Sequence, residues 1–484
     1  MSQSVSEKSQ FLSRQMGESS DLNSRVFQTS AGQQGALLFL TGLTDLDKID
    51  RLLLNSFFGE LKEEITIEEI KDKFPLSDIQ WNNDTNHVLQ GILSGKTALI
   101  LEHIEGYFLL GLRKWAQRSP EHPIIDNTVK GSQEGFVETL TVNISLIRRF
   151  LKSPSLRVEE MTIGKLSETR VSMLYVDGIA QTEVINEVRH RLKQIETDVI
   201  LASSNIEQWI EDNSMSLFPL VRLTERPDVT VASLVEGKVA ILTDQSPFAL
   251  VVPFTFFDSL QNMDDYFEKW QIGILFRLIR FIAFTISFLL PGLYVSLAHY
   301  NPGLIPTELL LSMITTLTNV PFPLVVELLF MELSIEIFRE AGMRLPQPVG
   351  QTIGIVGGIV IGDAAVQANL VSPATLIVVA LTAMASYSAP LYSLAHTFRM
   401  LRFLLILIAG FLGLYGYVLA VLVILGHLAS LKSFGVPYLS PMAPALVADW
   451  VDHFLIFPQR WRNRRPAHLT QSKKIFKRKP LKEG

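Results

Sequence analysis

Between residues 274 and 428 the chain carries five apolar runs, at about 274–298, 307–338, 350–371, 373–395 and 403–428. Each is long enough to cross the hydrocarbon layer of a bilayer. Inside that layer the backbone must satisfy its own hydrogen bonds, so continuous apolar runs of this length imply helices. The charges between the runs set an orientation. Lys269, Arg277 and Arg280 flank the entry to the first run, whereas the loop after it, HYNPGLIP, has no Lys or Arg. Arg339 and Arg344 follow the second run, NLVSP after the third is uncharged, and Arg399 and Arg402 follow the fourth. Positive charge stays on the cytoplasmic side. The sequence therefore predicts a polytopic α-helical membrane domain over 259–440, preceded by a cytoplasmic domain.

The end of the chain conflicts with a simple count of crossings. Residues 441–484 read as an amphipathic segment and a basic cytoplasmic tail, with ten Lys/Arg from Arg460 on and only Glu483 in opposition. Five full crossings would leave that tail outside. Two solutions are open: the second run is partly re-entrant, or APALVADWVDHFLIF (443–457) returns across or along the membrane. The tail's charge suits a contact with anionic membrane lipids.

The front half has a different chemistry. Residues 1–270 hold 26 Lys/Arg against 39 Asp/Glu, whereas 271–484 hold 17 against 9. An acidic front half argues against a nucleic-acid partner, which needs clustered cations. Residues 1–30 are Ser/Gln-rich without a continuous apolar stretch and read as a disordered lead. LLFLTGLTDLDKIDRLL (37–53) and MLYVDGIAQTEVINEVRHRL (173–192) share a strand–Gly turn–helix plan, with Gly42 matching Gly178 and Ile49 matching Ile185. Each is followed by a strand–turn–strand pair, at 94–112 and 236–254. The recurrence predicts two similar α/β subdomains, 31–130 and 131–258; shared strand–turn–helix grammar without duplication is the alternative.

SGKT at 94–97 resembles the end of a phosphate-binding loop. Gln90 stands where that loop needs Gly, however, and Lys96 precedes a strand rather than opening a helix. No carboxylate pair, HExxH spacing or Ser/His/Asp set can be placed in the front half, the nine His are scattered, and there is no Cys. The expectation is a protein that is not an enzyme, with no metal and no cofactor.

PFPLVVELLFMELSIEIFREAG (321–342) is apolar enough to enter a bilayer yet carries Glu327, Glu332, Glu336 and Glu340. On a helix the last three form one stripe, with Glu327 about 140° away. Carboxylates are costly against lipid, so they should face protein or a water path, or emerge at the cytoplasmic surface. Arg339 and Arg344 are placed to pair with part of the stripe. Pro321 and Pro323 interrupt the helix at the membrane. Glu327, Glu332 and Glu336 are thus candidates for an acidic conduction path; a helix leaving the bilayer with its own salt bridges is the bland alternative. In the third run Gly354, Gly358, Ile361 and Ala365 share a small, packing side. Val356, Val360, Asp363 and Gln367 share the opposite side, which suits a pore lining with an apolar constriction and an acidic ring. A hydrogen-bonded Asp363 at a helix end is the structural alternative.

TERPD (224–228), GKVAIL (237–242), SPFALVVP (246–253), the run 321–362, SFGVPYLSP (433–441) and EGFVETLTVNISLIRRFL (134–151) closely resemble the GerA family. These are A subunits of spore germinant receptors, and a sporulation paralogue shares their architecture. The resemblance covers most of the chain beyond the first 30 or so residues. It implies a subunit of the endospore inner membrane with its α/β domain and C-terminal tail facing the core. It also implies a permease-like B subunit and a lipoprotein C subunit as partners. Such subunits are thought to form a homo-oligomeric ring that releases monovalent cations when nutrient is sensed. The family commonly has Gln where this chain has Asp363 and Gly where it has Gln245. Two other readings remain open: a secondary transporter, and a non-conducting membrane scaffold or sensor. No internal repeat or paired broken segment favours the transporter.

Overall fold

Two five-stranded sheets with the same strand order organise the front half. In the computed structural model the described residues are 4–28, 32–54, 76, 78–102, 104–113, 123, 128, 130–344, 362–388, 391–446 and 450, 456, 458, 465–466, 469–470. The first sheet is built from β1 (Leu22–Gln28), β2 (Gln34–Leu40), β3 (Ile79–Asn82), β4 (Thr97–Leu101) and β5 (Tyr107–Leu110), in the order β1-β2-β4-β5-β3. The second uses β6 (Leu156–Ile163), β7 (Thr169–Val176), β8 (Arg222–Thr224), β9 (Val239–Thr243) and β10 (Ala249–Val252), in the order β6-β7-β9-β10-β8. Every pairing is antiparallel, with Ala36 opposite Ile100 in one sheet and Met173 opposite Ile241 in the other.

The central strands are apolar on both faces because helices cover both. In the first subdomain, α1 (Val5–Gln15) and α3 (Thr85–Leu93) bury Val5, Leu12, Val88 and Ile92 on one face. On the other, Ile49 of α2 (Leu46–Leu54) packs with Leu37 and Phe39. In the second, α5 (Thr182–Lys193) and α6 (Ser203–Ile210) cover one face through Val184, Val188 and Ile206. There α4 (Leu140–Phe150) and α7 (Pro227–Glu236) cover the other through Ile144 and Leu234. The SGKT lysine is structural: Lys96 pairs with Asp78 at 3.0 Å, at the end of α3.

The expected disordered lead is corrected. Residues 5–15 are a helix, and 22–28 are a strand paired with β2 along its whole length. The polar composition hid two things: a Ser4–Glu7 capping box, and a sparse apolar set (Val5, Leu12, Met16) that is almost fully buried. The same lead ties the subdomains together. Arg148 of α4 donates from Nε and Nη2 to both carboxylate oxygens of Asp21, at 2.8 and 2.9 Å, and both residues are buried. Ser19 completes the junction by accepting from Arg148 and from the Val158 N–H. At Gly42 the backbone has φ +86°, and a Cβ would lie 2.8 Å from the Thr141 carbonyl, so the turn needs glycine twice over.

The second half is a helical bundle. Two of its helical stretches, Trp270–Tyr300 and Tyr392–Ser430, are long and apolar enough to cross a membrane. At its base α9 (Trp270–Val295), the fold's first long helix, is held by buried Asp265, which takes both Arg280 nitrogens at 2.9 Å and pairs with Arg277; a short α8 (Asp264–Phe267) carries that aspartate. Next come α10 (Thr307–Leu317), α11 (Leu324–Arg344), a helical turn over 362–367, α12 (Pro373–Ser386) and α13 (Tyr392–Ser430).

The 39 residues of α13 are not one rod. A straight helix of that length would extend about 58 Å. Yet Thr397 and His427 both hydrogen-bond the same loop of the α/β half, at Leu217 and Ser216. The reversal is at Gly413, whose φ of 62° and ψ of −154° are open only to glycine. A Cβ there would lie 2.9 Å from the Tyr300 ring, in the π-helical turn Ser296–Tyr300 that continues α9. The helix is therefore a hairpin of two limbs, 392–412 and 414–430, and the fifth run, read as a single crossing over 403–428, doubles back. Phe284, Phe288 and Phe398 stack near the α/β half, and Tyr417 reaches the Leu289 carbonyl at 3.0 Å. After the second limb the chain returns to the α/β half. Ser433 donates to the Leu220 carbonyl at 2.7 Å, and the Phe434 N–H donates to Asp212 at 2.7 Å. Farther on, Arg465 donates to the Val235 carbonyl, and Thr470 bridges Ala180.

The second run also breaks. Its two helices, α10 and α11, are separated by 318–323, and both Tyr300 and Val325 lie against Gly410 near the hairpin tip. The chain between them leaves and rejoins the same end of the bundle, so only α11 runs back toward the α/β half.

Candidate functional site

The acidic stripe lies on α11, between α12 and the first limb of α13. Glu332 is fully buried, and its Oε2 lies 2.8 Å from Nη2 of Arg402, which is 1% exposed. Thr382 of α12 donates to the other Glu332 oxygen at 3.3 Å. One turn on, Glu336 accepts from Arg399 at 2.7 Å and from Arg339 at 3.2 Å. Arg339 also reaches Ser386 at 3.4 Å and lies over the Tyr387 ring at 5.2 Å. The two carboxylates are four residues apart and their cations three, on antiparallel helices. The pairs therefore stack as two rungs, about one turn apart. Among the described residues, Arg402 Nε, Nη1 and Nη2 and Glu332 Oε2 have no hydrogen-bond partner, so the pair is a charge contact and the seam retains unused polar capacity.

Glu327, on the other side of α11, is equally buried. It accepts from the Ser372 N–H at the start of α12, where a carboxylate also opposes the positive end of the helix dipole. Ser372 caps that helix through the Thr375 N–H, and Tyr294 of α9 is within 3.3 Å of the Thr375 hydroxyl. Glu340 is exposed at the end nearest the α/β half.

Of the third-run residues, Ala365 is buried in the bundle core, whereas Asp363 and Gln367 are exposed on the opposite side. Gln367 Nε2 donates to Asp363 at 2.6 Å. Val356, Val360, Gly354 and Gly358 lie outside the described residues. Sequence reasoning named Arg339 as a partner of the stripe but read Arg399 and Arg402 only as orienting loop charges. Their spacing, matched against Glu332 and Glu336 across antiparallel helices, was the signal available.

Outside the bundle, Glu207 of α6 titrates unusually. Burial, assisted by Glu211 one turn away, pushes its carboxyl up to about 7.

A family model described as Bacillus/Clostridium GerA spore germination protein matches residues 10–468. Spore germination protein GerLA of Bacillus cereus is 39% identical, over 97% of this chain and 96% of that protein. The uncharacterized membrane protein YfkQ of Bacillus subtilis (strain 168) is 36% identical, over 93% of this chain and 88% of that protein. Among solved structures, the N-terminal domain of the A subunit of the Bacillus megaterium spore germinant receptor GerK3 is 28% identical. It covers 52% of this chain and 96% of its own length, with a TM-score of 0.42.

Proposed function

Because this chain belongs to the GerA family of spore germination proteins, we propose that it is the A subunit of a nutrient-gated receptor whose helical half is a multi-pass domain of the spore inner membrane. Copies surround an axis and release monovalent cations through it. Val356, Val360, Asp363 and Gln367 line the pore, and Gly354, Gly358 and Ala365 pack against the bundle. A permease-like B subunit and a lipoprotein C subunit complete the receptor. The α/β domain and the tail share the core side, in keeping with the return of the α13 hairpin to the α/β half.

One observation carries the reading. Asp363 and Gln367 form a hydrogen-bonded polar pair on the outward side of their helical turn, opposite buried Ala365. Such a pair is costly against lipid and suits a water-filled axis between copies. The stripe takes a different role in this reading. Glu332 and Glu336 are neutralised inside one copy, so they reach the cation path only when α11 and α13 part, and Glu327 stays with α12. That neutralisation also favours a second reading, a sensor that conducts nothing and uses the seam only for cohesion.

Potassium efflux from vesicles carrying the protein, alone and with its B and C partners, separates the two. Val360→Ala and Asp363→Asn should change efflux while leaving complex assembly intact. A well-formed complex without efflux under any condition would establish the non-conducting reading.

A further inference from the structure

The loop between α6 and β8, which packs the second subdomain against the bundle, alternates in burial. Ser216 lies 3.1 Å from the His427 ring nitrogen, and Phe218 packs against Phe398, His427 and Tyr438. Met215 and Leu217, between and beside them, point the other way and are 90% and 50% exposed. The segment turns here, with the Ser216 N–H on the Asn213 carbonyl at 3.2 Å, and holding Ser216 and Phe218 against the bundle leaves Met215 and Leu217 on the outside. Trp209, at the end of α6 just before this loop, is 53% exposed.

The loop's height is set by the bundle. The Thr397 hydroxyl donates to the Leu217 carbonyl, and His427 stands opposite Ser216, so both limbs of α13 end at this level. One to two turns farther along the first limb, Met400 and Leu404 are exposed apolar side chains. The apolar surface of the helices thus continues onto the loop.

We propose that Met215 and Leu217, flanked by Trp209, insert into the core-side leaflet of the membrane, making the second α/β subdomain a monotopic membrane contact in its own right. This rests on the reading of the helical half as a membrane domain. Two exposed apolar side chains, with an exposed tryptophan on the helix that precedes them, match the headgroup–acyl boundary, where an aromatic ring lies half in each environment. The lipid surface is the occupant because the exposed face of the α13 limb leads directly onto it. The contact ties any movement of the subdomain to the leaflet and to the α13 hairpin together.

The absence of cysteine makes the test direct. Met215→Cys and Leu217→Cys in the full chain, labelled with an environment-sensitive fluorophore, are reconstituted in vesicles of phosphatidylcholine and phosphatidylglycerol. Leu166→Cys, exposed at the opposite end of the sheet, reports water, and Val423→Cys, exposed on the second limb, reports lipid. The expected result is blue-shifted emission at 215 and 217, with quenching by headgroup-level nitroxide lipid several-fold stronger than at 166. Quenching at both positions by aqueous iodide only, while 423 responds to lipid, overturns the proposal. So does shielding from both quenchers, which would place a second copy over the patch. If 423 itself escapes lipid quenching, the membrane reading fails and takes this contact with it.

Discussion

Glu332→Gln should weaken the seam between α11 and α13 more than any surface change can. The carboxylate is fully buried 2.8 Å from a guanidinium that is itself 1% exposed. The amide keeps the shape and removes the charge, leaving Arg402 as a buried cation near Arg339 and Arg399. Removing one partner of a buried pair costs about 3–5 kcal/mol. A charge pair at 4 Å in an effective dielectric of 20 is worth about 4 kcal/mol, the same range. Replacing both residues with Met removes charge and counter-charge together, so the double variant should recover most of the loss, with a coupling of about 2–4 kcal/mol. The assay is denaturant unfolding of the purified full chain in micelles, for wild type, both singles and the double. Singles costing less than about 1 kcal/mol, or a double equal to their sum, would refute the claim that this pair joins the helices. In vesicles, Glu332→Gln should also raise the resting potassium leak. Lowered stability with an unchanged leak would leave the pair a purely structural device.

Gly413→Ala forces a backbone conformation open only to glycine and drives a Cβ to within 2.9 Å of Tyr300. A loss of at least about 1–3 kcal/mol is expected in the same unfolding assay, together with reduced accessibility of a cysteine placed at Tyr415, near the hairpin tip. Arg148→Ala strips the buried junction between the subdomains and should cost about 3–5 kcal/mol; protease cleavage within residues 16–21, followed by mass spectrometry, would report it. Glu207→Gln acts in the opposite direction. Its folded carboxyl titrates near 7 against 4.5 in the unfolded chain, so the folded state holds the extra proton between those values and loses stability as pH rises through them. The variant should flatten that loss and be more stable than wild type at pH 8 by about 1–3 kcal/mol. Equal pH profiles from unfolding curves would contradict it.

The architecture links these elements mechanically. The loop at 215–218 touches both limbs of α13, and Arg399 and Arg402 follow Thr397 within two turns. A rotation of the first limb is therefore felt at the α/β loop and at both ion-pair rungs together. Exchange between two discrete pairings is the kind of two-state element on which a switch depends.

Apolar run length, charge between runs and the strand–turn–helix grammar at Gly42 and Gly178 were readable along the chain because each is a local pattern. They marked the division into an α/β half and a helical half, and the second strand–turn–strand pairs at 97–110 and 239–252. At the end of the third run, buried Ala365 and exposed Asp363 separate by helical periodicity alone. Three things required the tertiary structure. The lead at 5–28 is ordered by contacts with strands that arrive later in the sequence, so its composition misrepresents it. The reversal at Gly413 depends on one residue's dihedrals inside a run whose hydropathy never falters, and it is what returns the C-terminal segment to the α/β half. The α13 arginines that pair with Glu332 and Glu336 lie more than sixty residues away, on a helix whose direction only packing fixes. Periodicity tells which side a carboxylate is on; only the fold decides what stands opposite.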